Sequence, residues 1–325
     1  DDFLLHDFPD RYDYVIGNPP FFKLKASDPR LPLYRLEAKN KNTSNICSFF
    51  LEKALQLGKY VALVFPKFLL NTPEFSTTRA ELAQKSVDAI LDFGEKGFPG
   101  ILVETIAIFI NNLAAPANTK VFSLTYRLHL TQPQAYIFDP ELPYWIIYRN
   151  QLFDSVCRKL DFDVFEVFRD RQLTNKLLSS SGELRVLKSR NLSDDGKEIL
   201  DIPGYDSYIS YAAAKPLSVF QYLDAPNVYL TPNMTYKPRM MKKPPHCVVN
   251  GSLAILIPKG GIVPTEKQLA YFSSEEYRAF YQIARNFQTR SLNVDACSVF
   301  FYGLLRDEAK PAPEKFDTSV QLSFL

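Results

Sequence analysis

Cysteine, histidine and glycine are scarce in this sequence of 325 residues, with four, three and twelve of each. Cys47, Cys157, Cys247 and Cys297 lie far apart and form no C-x-x-C pair, so neither a metal site nor a disulfide framework is expected. Long apolar runs are missing as well. None approaches the ~18 to 20 residues needed to cross a bilayer, and the amino end, DDFLLHDFPD, is acidic where a secretory signal would be basic. The reading is a reducing, cytoplasmic protein that touches no membrane. Charge is nearly balanced, at a formal +2, which excludes a polybasic tail, and 46% apolar side chains exclude a disordered chain.

What is present has the rhythm of an α/β protein. Residues 12–16 (YDYVI), 60–65 (YVALVF), 87–93 and 104–110 read as buried strands rich in β-branched and aromatic side chains. Between the first two, Ile46, Phe49, Phe50, Ala54 and Leu57 fall on one helical face, with Ser44 or Asn45 to cap the start and Gly58 to end it. Residues 132–145 (QPQAYIFDPELPYW) hold three prolines and no periodicity, and they read as a border. Three segments are therefore expected: residues 1–130 as an α/β domain, 145–310 as a second, irregular α+β domain and 311–325 as a tail. In the second, helical residues run to about 178 and short strand-like stretches follow.

Basic charge gathers in that second domain, where residues 203–306 hold 11 basic and 6 acidic side chains. Lys237, Arg239, Lys242 and Lys243 lie in one stretch. Arg285 and Arg290 lie on and just beyond an expected helix over 275–287, whose apolar face is Tyr277, Phe280, Tyr281, Ala284 and Phe287. Basic side chains interleaved with aromatics suit a phosphate backbone, so these six are the candidate contacts to a nucleic acid, with Lys188 and Arg190 as weaker ones. Met240 and Met241 read as packing residues.

The most specific local pattern is Asn18-Pro19-Pro20-Phe21, directly after the first strand, where open α/β sheets bind ligands. Two prolines fix φ and remove two donors, leaving the Pro19 carbonyl without a local competitor. The Asn18 side-chain oxygen is a second acceptor, and two fixed acceptors suit an exocyclic amine that must attack an electrophile. Phe21 offers a flat face to the ring that carries the amine.

In chain order, Asp2-Phe3-Leu4-Leu5, residues 12–17, Asn18-Pro19-Pro20-Phe21, the Phe49 to Ala54 stretch, Leu63-Val64-Phe65-Pro66 and Gly97-Phe98-Pro99 followed by residues 104–109 resemble consecutive motifs of one family. It is that of the gamma-class, TaqI-type adenine-N6 DNA methyltransferases of restriction-modification systems. The resemblance covers residues 1–125. It implies a partial Rossmann-like, S-adenosylmethionine-dependent methyltransferase sheet followed by a DNA-recognition domain. It also implies that Asp2 and Phe3 hold the adenine of the cofactor, with Asn18 beside it. Asn18 and Pro19 would accept from N6 of a target adenine flipped out of duplex DNA, while Phe21 and Phe98 stack on that base. The action implied is that of a monomer.

One family feature is missing. The glycine-rich cofactor turn needs a G-x-G, and the sequence has none; the spacing of Gly94, Gly97 and Gly100 lies between two late strands and matches a different motif. The expectation is a carboxyl-terminal portion, inactive alone, whose amino-terminal half lies upstream in the same chain or, less favoured, in another polypeptide. A cognate or fused restriction endonuclease, a non-catalytic DNA-specificity module, and an RNA or protein-glutamine methyltransferase are the competing readings.

Overall fold

The computed structural model describes residues 2–95, 97, 98, 100, 102–289 and 293–308. They form two compact units, residues 2–149 with 286–289, and residues 150–285 with 293–308. The expected tail and Arg290 lie outside the described residues.

In the first unit, β1 (Tyr12–Gly17) is followed by α1 (Arg30–Glu37), α2 (Ile46–Leu57), β2 (Gly58–Pro66), α3 (Ser76–Ala83), β3 (Ser86–Gly94), β4 (Thr105–Asn111), β5 (Asn118–Ser123), β6 (Leu128–Pro133) and the single turn α4 (Gln134–Ile137). All four strands expected from the apolar runs are here. They join one mixed sheet of order β1-β2-β4-β3-β5-β6. β1 and β2 pair in parallel, β4 runs against both β2 and β3, and β5 returns parallel to β3. Thus β1, β2, β3 and β5 share one direction, and their carboxyl ends lie along one sheet edge.

Periodicity explains the helices. The Asn45 side chain caps α2 by accepting from Cys47 N, and the helix buries Ile46, Phe49, Leu51, Ala54, Leu55 and Leu57 against β1 and β2. Burial of each such side chain is worth about 1.5–3 kcal/mol. Val61, Leu63, Phe65, Val87, Ile90, Ile106, Ile108 and Val121 complete this core, all nearly inaccessible. The outer strand differs. Tyr12, Tyr14 and Ile16 of β1 are 43%, 68% and 78% exposed on one face, beside Tyr60 and Phe109 on the neighbouring strands.

The second unit begins with α5 (Gln151–Lys159), which ends well short of the expected residue 178 because β7 (Leu160–Asp161) and β8 (Phe165–Phe168) follow at once. Next come β9 (Leu184–Leu187), β10 (Ser207–Ile209), the single turn α6 (Tyr211–Ala214), β11 (Tyr229–Pro232), β12 (Met241–Lys242), β13 (Cys247–Val249) and β14 (Leu253–Pro258). α7 (Glu266–Tyr271), α8 (Glu275–Ala284) and β15 (Leu304–Leu305) complete it. A four-stranded sheet, β12-β11-β14-β8, and a three-stranded one, β10-β9-β13, share an apolar core of Val186, Leu187, Ile209, Leu230, Val248 and Ile255. Phe153 of α5 and Phe280 of α8 stack at 5.0 Å. No helix among the described residues is long and apolar enough to cross a membrane.

One expected helix stops early. α8 ends at Ala284 rather than 287, because Asn286 and Phe287 take left-handed conformations, φ 51° and 50°, that no helix can continue through. Phe287 therefore leaves the helix face and packs in the first unit, 4.9 Å from the Tyr126 ring and 5.2 Å from that of Tyr148.

Candidate active site

β1 delivers Gly17 to the sheet edge, and the next residue, Asn18, is exposed. Pro19 is buried, Pro20 exposed and Phe21 half-buried, so the turn is seated by one proline ring while the amide before it faces outward. Among the described residues neither the Asn18 side chain nor the Pro19 carbonyl takes part in a hydrogen bond. The chain beyond is pinned. Asn45 Nδ2 donates to the Phe21 carbonyl at 3.2 Å, Ile46 N donates to the Phe22 carbonyl at 3.1 Å, and Leu24 N donates to the Ser44 carbonyl at 2.8 Å. Since Asn45 also caps α2, one buried amide ties the turn to the helix that supports it. Sequence reading saw Asn45 only as a cap, because its bond to residue 21 is a product of the fold.

Behind the turn, the Glu52 carboxylate accepts from Lys39 N at 2.6 Å and Asn40 N at 3.0 Å, and burial raises its pKa. Asn40 in turn donates to Thr78 Oγ1, which is shared with Ser48 at 2.7 Å. These contacts fix the loop between α1 and α2.

Phe98 lies half-buried in the connection between β3 and β4, near the same edge. Its neighbour Gly97 is closely packed: a Cβ there would come within 2.3 Å of Thr105 Oγ1. Pro99, which completes the matched tripeptide, is outside the described residues.

At the cofactor end, Asp2 is already engaged. One oxygen accepts from Leu4 N at 3.0 Å and the other from the Tyr34 hydroxyl, while Phe3 stacks on Phe50 at 5.3 Å and 4°. A carboxylate oxygen keeps a second lone pair, so Asp2 fits the adenine end of a nucleoside, while Phe3 beside it is also flanked by Phe8 at 5.2 Å. A cleft of about 420 Å³ lined by Leu4, His6, Asp7, Tyr34, Phe49 and Lys53 adjoins them. Burial first, and then the bond to Asp2, push the Tyr34 hydroxyl up to about 12, so it is a donor at neutral pH. Among the described residues no three His, Cys, Asp or Glu side chains converge as a metal site.

A second polar cluster lies inside the same edge and was not anticipated. Lys67, the residue after β2, is 1% exposed and its ammonium meets Asp92 at 2.7 Å and Glu104 at 3.6 Å. The Tyr148 hydroxyl donates to the same Asp92 oxygen at 2.5 Å, and Gly94 N caps the other at 2.9 Å. Burial first, then Asp92, raise the Tyr148 pKa well above its usual value. The signal in the sequence was a lone lysine inside the apolar run VALVFPKFLL.

The six candidate DNA contacts separate. Lys237 and Lys242 are exposed. Arg239, Lys243 and Arg285 are buried, and their heads are engaged by backbone carbonyls: Arg239 by those of Lys237, Ser189 and Leu192, Lys243 by those of Leu223 and Pro244, and Arg285 by that of Asn293. Placing these three on a solvent-facing DNA surface is corrected: a stretch of basic residues here alternates outward and inward. Arg190 is exposed over the Tyr205 ring at 4.7 Å, and the same ring carries Lys188 at 3.8 Å. Met240 is buried, as packing requires, and Met241 half-buried.

Comparison with known proteins bears on this site. Residues 2–98, which hold Asp2, Phe3, the Asn18 turn and Phe98, match the Eco57I restriction-modification methylase family. No curated protein matches the chain. It shares its fold with part of the Type IIL restriction-modification enzyme MmeI, solved in complex with DNA, at TM-score 0.51 and 11% identity over 89% of this chain and 46% of that one. The type IIG restriction endonuclease BpuSI matches at TM-score 0.39 and 10% identity over 90% of this chain and 46% of that one. The type I restriction-modification methyltransferase subunit from Streptococcus thermophilus matches at TM-score 0.33 and 21% identity, over 39% and 30%. The chain thus spans less than half the length of each.

Proposed function

We propose that the first unit is the carboxyl-terminal part of an adenine-N6 DNA methyltransferase domain of a restriction-modification system, of the gamma-class, TaqI type, and that the second unit binds the duplex. The observation that carries this reading is the Asn18 turn. Its two acceptors are uncommitted at the sheet edge, the loop behind them is pinned, and they lie within the residues that match the methylase family.

S-adenosylmethionine would supply an electrophilic sulfonium methyl, its adenine held by Asp2 and Phe3. The chain's own residues act on the nucleophile. Asn18 Oδ1 and the Pro19 carbonyl accept from the two N6–H groups of an extruded adenine, which leaves the nitrogen lone pair directed at the methyl. Phe21 and Phe98 hold the ring and offset its unstacking, a cost of a few kcal/mol. Catalysis is then positioning by fixed dipoles, with no covalent enzyme intermediate. These 325 residues hold no G-x-G turn for the methionine end, and on this reading a further segment would supply it. The apolar face of β1 supports that view, since Tyr12, Tyr14 and Ile16 offer an uncovered surface where further strands and helices would pack. A nuclease fused to such a segment is the second reading, consistent with the fold shared with part of the restriction-modification enzyme MmeI.

The test is transfer of tritiated methyl from S-adenosylmethionine to duplex DNA, by the chain alone and joined to its encoded upstream sequence. Label in N6-methyladenine, in the longer form only, is expected. Label in cytosine, RNA or protein would refute the assignment.

A further inference from the structure

The buried cluster around Lys67 is placed where it can act on Phe98. Asp92 is the third-last residue of β3 and Glu104 directly precedes β4, so the two carboxylates mark the two stems of the connection that carries Phe98. Lys67 stands between them, and its own backbone N–H donates to the Glu104 carbonyl at 2.8 Å. Two carboxylates and one ammonium leave the cluster one negative charge in excess. Neutral donors meet it: Gly94 N and the Tyr148 hydroxyl at Asp92, and Thr289 N at Glu104 Oε2, 3.0 Å away. Thr289 belongs to the short segment 286–289, which a reciprocal amide pair, Asn71 with Gln288, also fastens to the first unit.

A core needs no such cluster, because an apolar residue of similar volume at position 67 would avoid the desolvation of three charges. Pairing of Gly94 with Thr105 already sets how far apart the two stems stand. What the charges add is a tie between the side chains there, and glycines leave the stems little room to rearrange. Gly94, at φ +56°, leaves no room for a side chain beside Thr125, and Gly97 leaves none beside Thr105.

We propose that Lys67 is a positioning residue: by bridging Asp92 and Glu104 it braces the stems of the β3 to β4 connection and so holds Phe98 in place against the target base. This rests on the methyltransferase reading for the role of Phe98, but not for the bridge itself.

The test has two arms. In the first, amide hydrogen exchange of the chain is followed by NMR in Lys67→Met and Lys67→Arg. Exchange at Gly94 and Thr289, whose amides donate to Asp92 and Glu104, is expected to quicken roughly tenfold or more in Lys67→Met, while Val61 and Leu63 in β2 stay protected and Lys67→Arg restores much of the loss. An equal rise at all four amides, or no rise, would overturn the proposal. Should Lys67→Met not fold, Glu104→Gln keeps an oxygen for Thr289 N and removes one charge, and the same local quickening is expected; its absence overturns the proposal. In the second arm, the methyl-transferring form carrying the variant should lose kcat with KM for DNA little changed, and an unchanged kcat would overturn the role. Failure of the unsubstituted form to methylate DNA would strike the functional reading alone, since the exchange arm still decides the bridge.

Discussion

Asn18 and Lys67 show opposite uses of a polar side chain within one sheet edge. Asn18 is exposed and, among the described residues, engaged by nothing, whereas Lys67 is buried among three partners drawn from positions 92, 104 and 148. That contrast explains what was legible. The Asn18 turn is local, with every group that gives it meaning inside four residues, so it stands out in the sequence. The Lys67 cluster exists only once strands far apart in the chain are paired. The same limit misled the reading of the basic stretch, where sequence shows charge but not direction. Its two kinds of residue should behave differently. Replacing Lys237 or Lys242 by Ala is expected to lower the salt dependence of DNA binding, each by about one unit of the log-log slope, with little change in Tm. Replacing Arg239 by Ala should leave the slope alone and cost stability, on the order of 1–3 kcal/mol for the lost hydrogen bonds to carbonyls. Binding titrations at several salt concentrations, with thermal melts, check both; a fall in slope for Arg239→Ala would contradict its buried placement.

Elements were read well where period and composition agreed, as in β1 to β4 and α2, whose edges differ from expectation by a residue or two. They were misread where a backbone conformation decides. Nothing in residues 284–288 announces two consecutive left-handed residues, yet these end α8 and send Phe287 elsewhere. α8 is also held at its other end. Glu276, in its first turn, pairs with Lys159 at the end of α5 and accepts from the Tyr271 hydroxyl at 2.9 Å. The Lys159 hydrogen bond is the largest cause holding the Glu276 carboxyl below its usual range. A depressed carboxylate pKa stabilises the fold above the unfolded value of about 4.3, and this contribution is lost as pH falls through the folded pKa. The pair is more than a third exposed, so roughly 0.2–1 kcal/mol is expected. Glu276→Gln should therefore be less stable than the unsubstituted chain at pH 7, and in urea unfolding the gap should narrow as the pH is lowered below the unfolded value. A gap that did not narrow in acid would show that the ion pair is not its source.

On the scale of the whole molecule, the chain divides between Arg149 and Asn150, and residues 286–289 return to the first unit after the second has been built. The prolines of residues 132–145 suggested a border there, but those residues lie in the first unit and the division follows at 149/150; the return had no signature either, since a short polar stretch after a helix carries none of its own. The irregularity of the second unit had the same origin. Its strands are two to six residues long, too short for alternation to be counted. The account of the molecule rests on one turn of the first unit, and Asn18→Ala addresses it directly. In the methyl-transferring form, loss of one fixed acceptor is expected to lower kcat by at least ~10²-fold, by analogy with removal of one preorganised hydrogen-bonding group, with DNA affinity nearly intact. Methylation at an undiminished rate by Asn18→Ala would contradict the account.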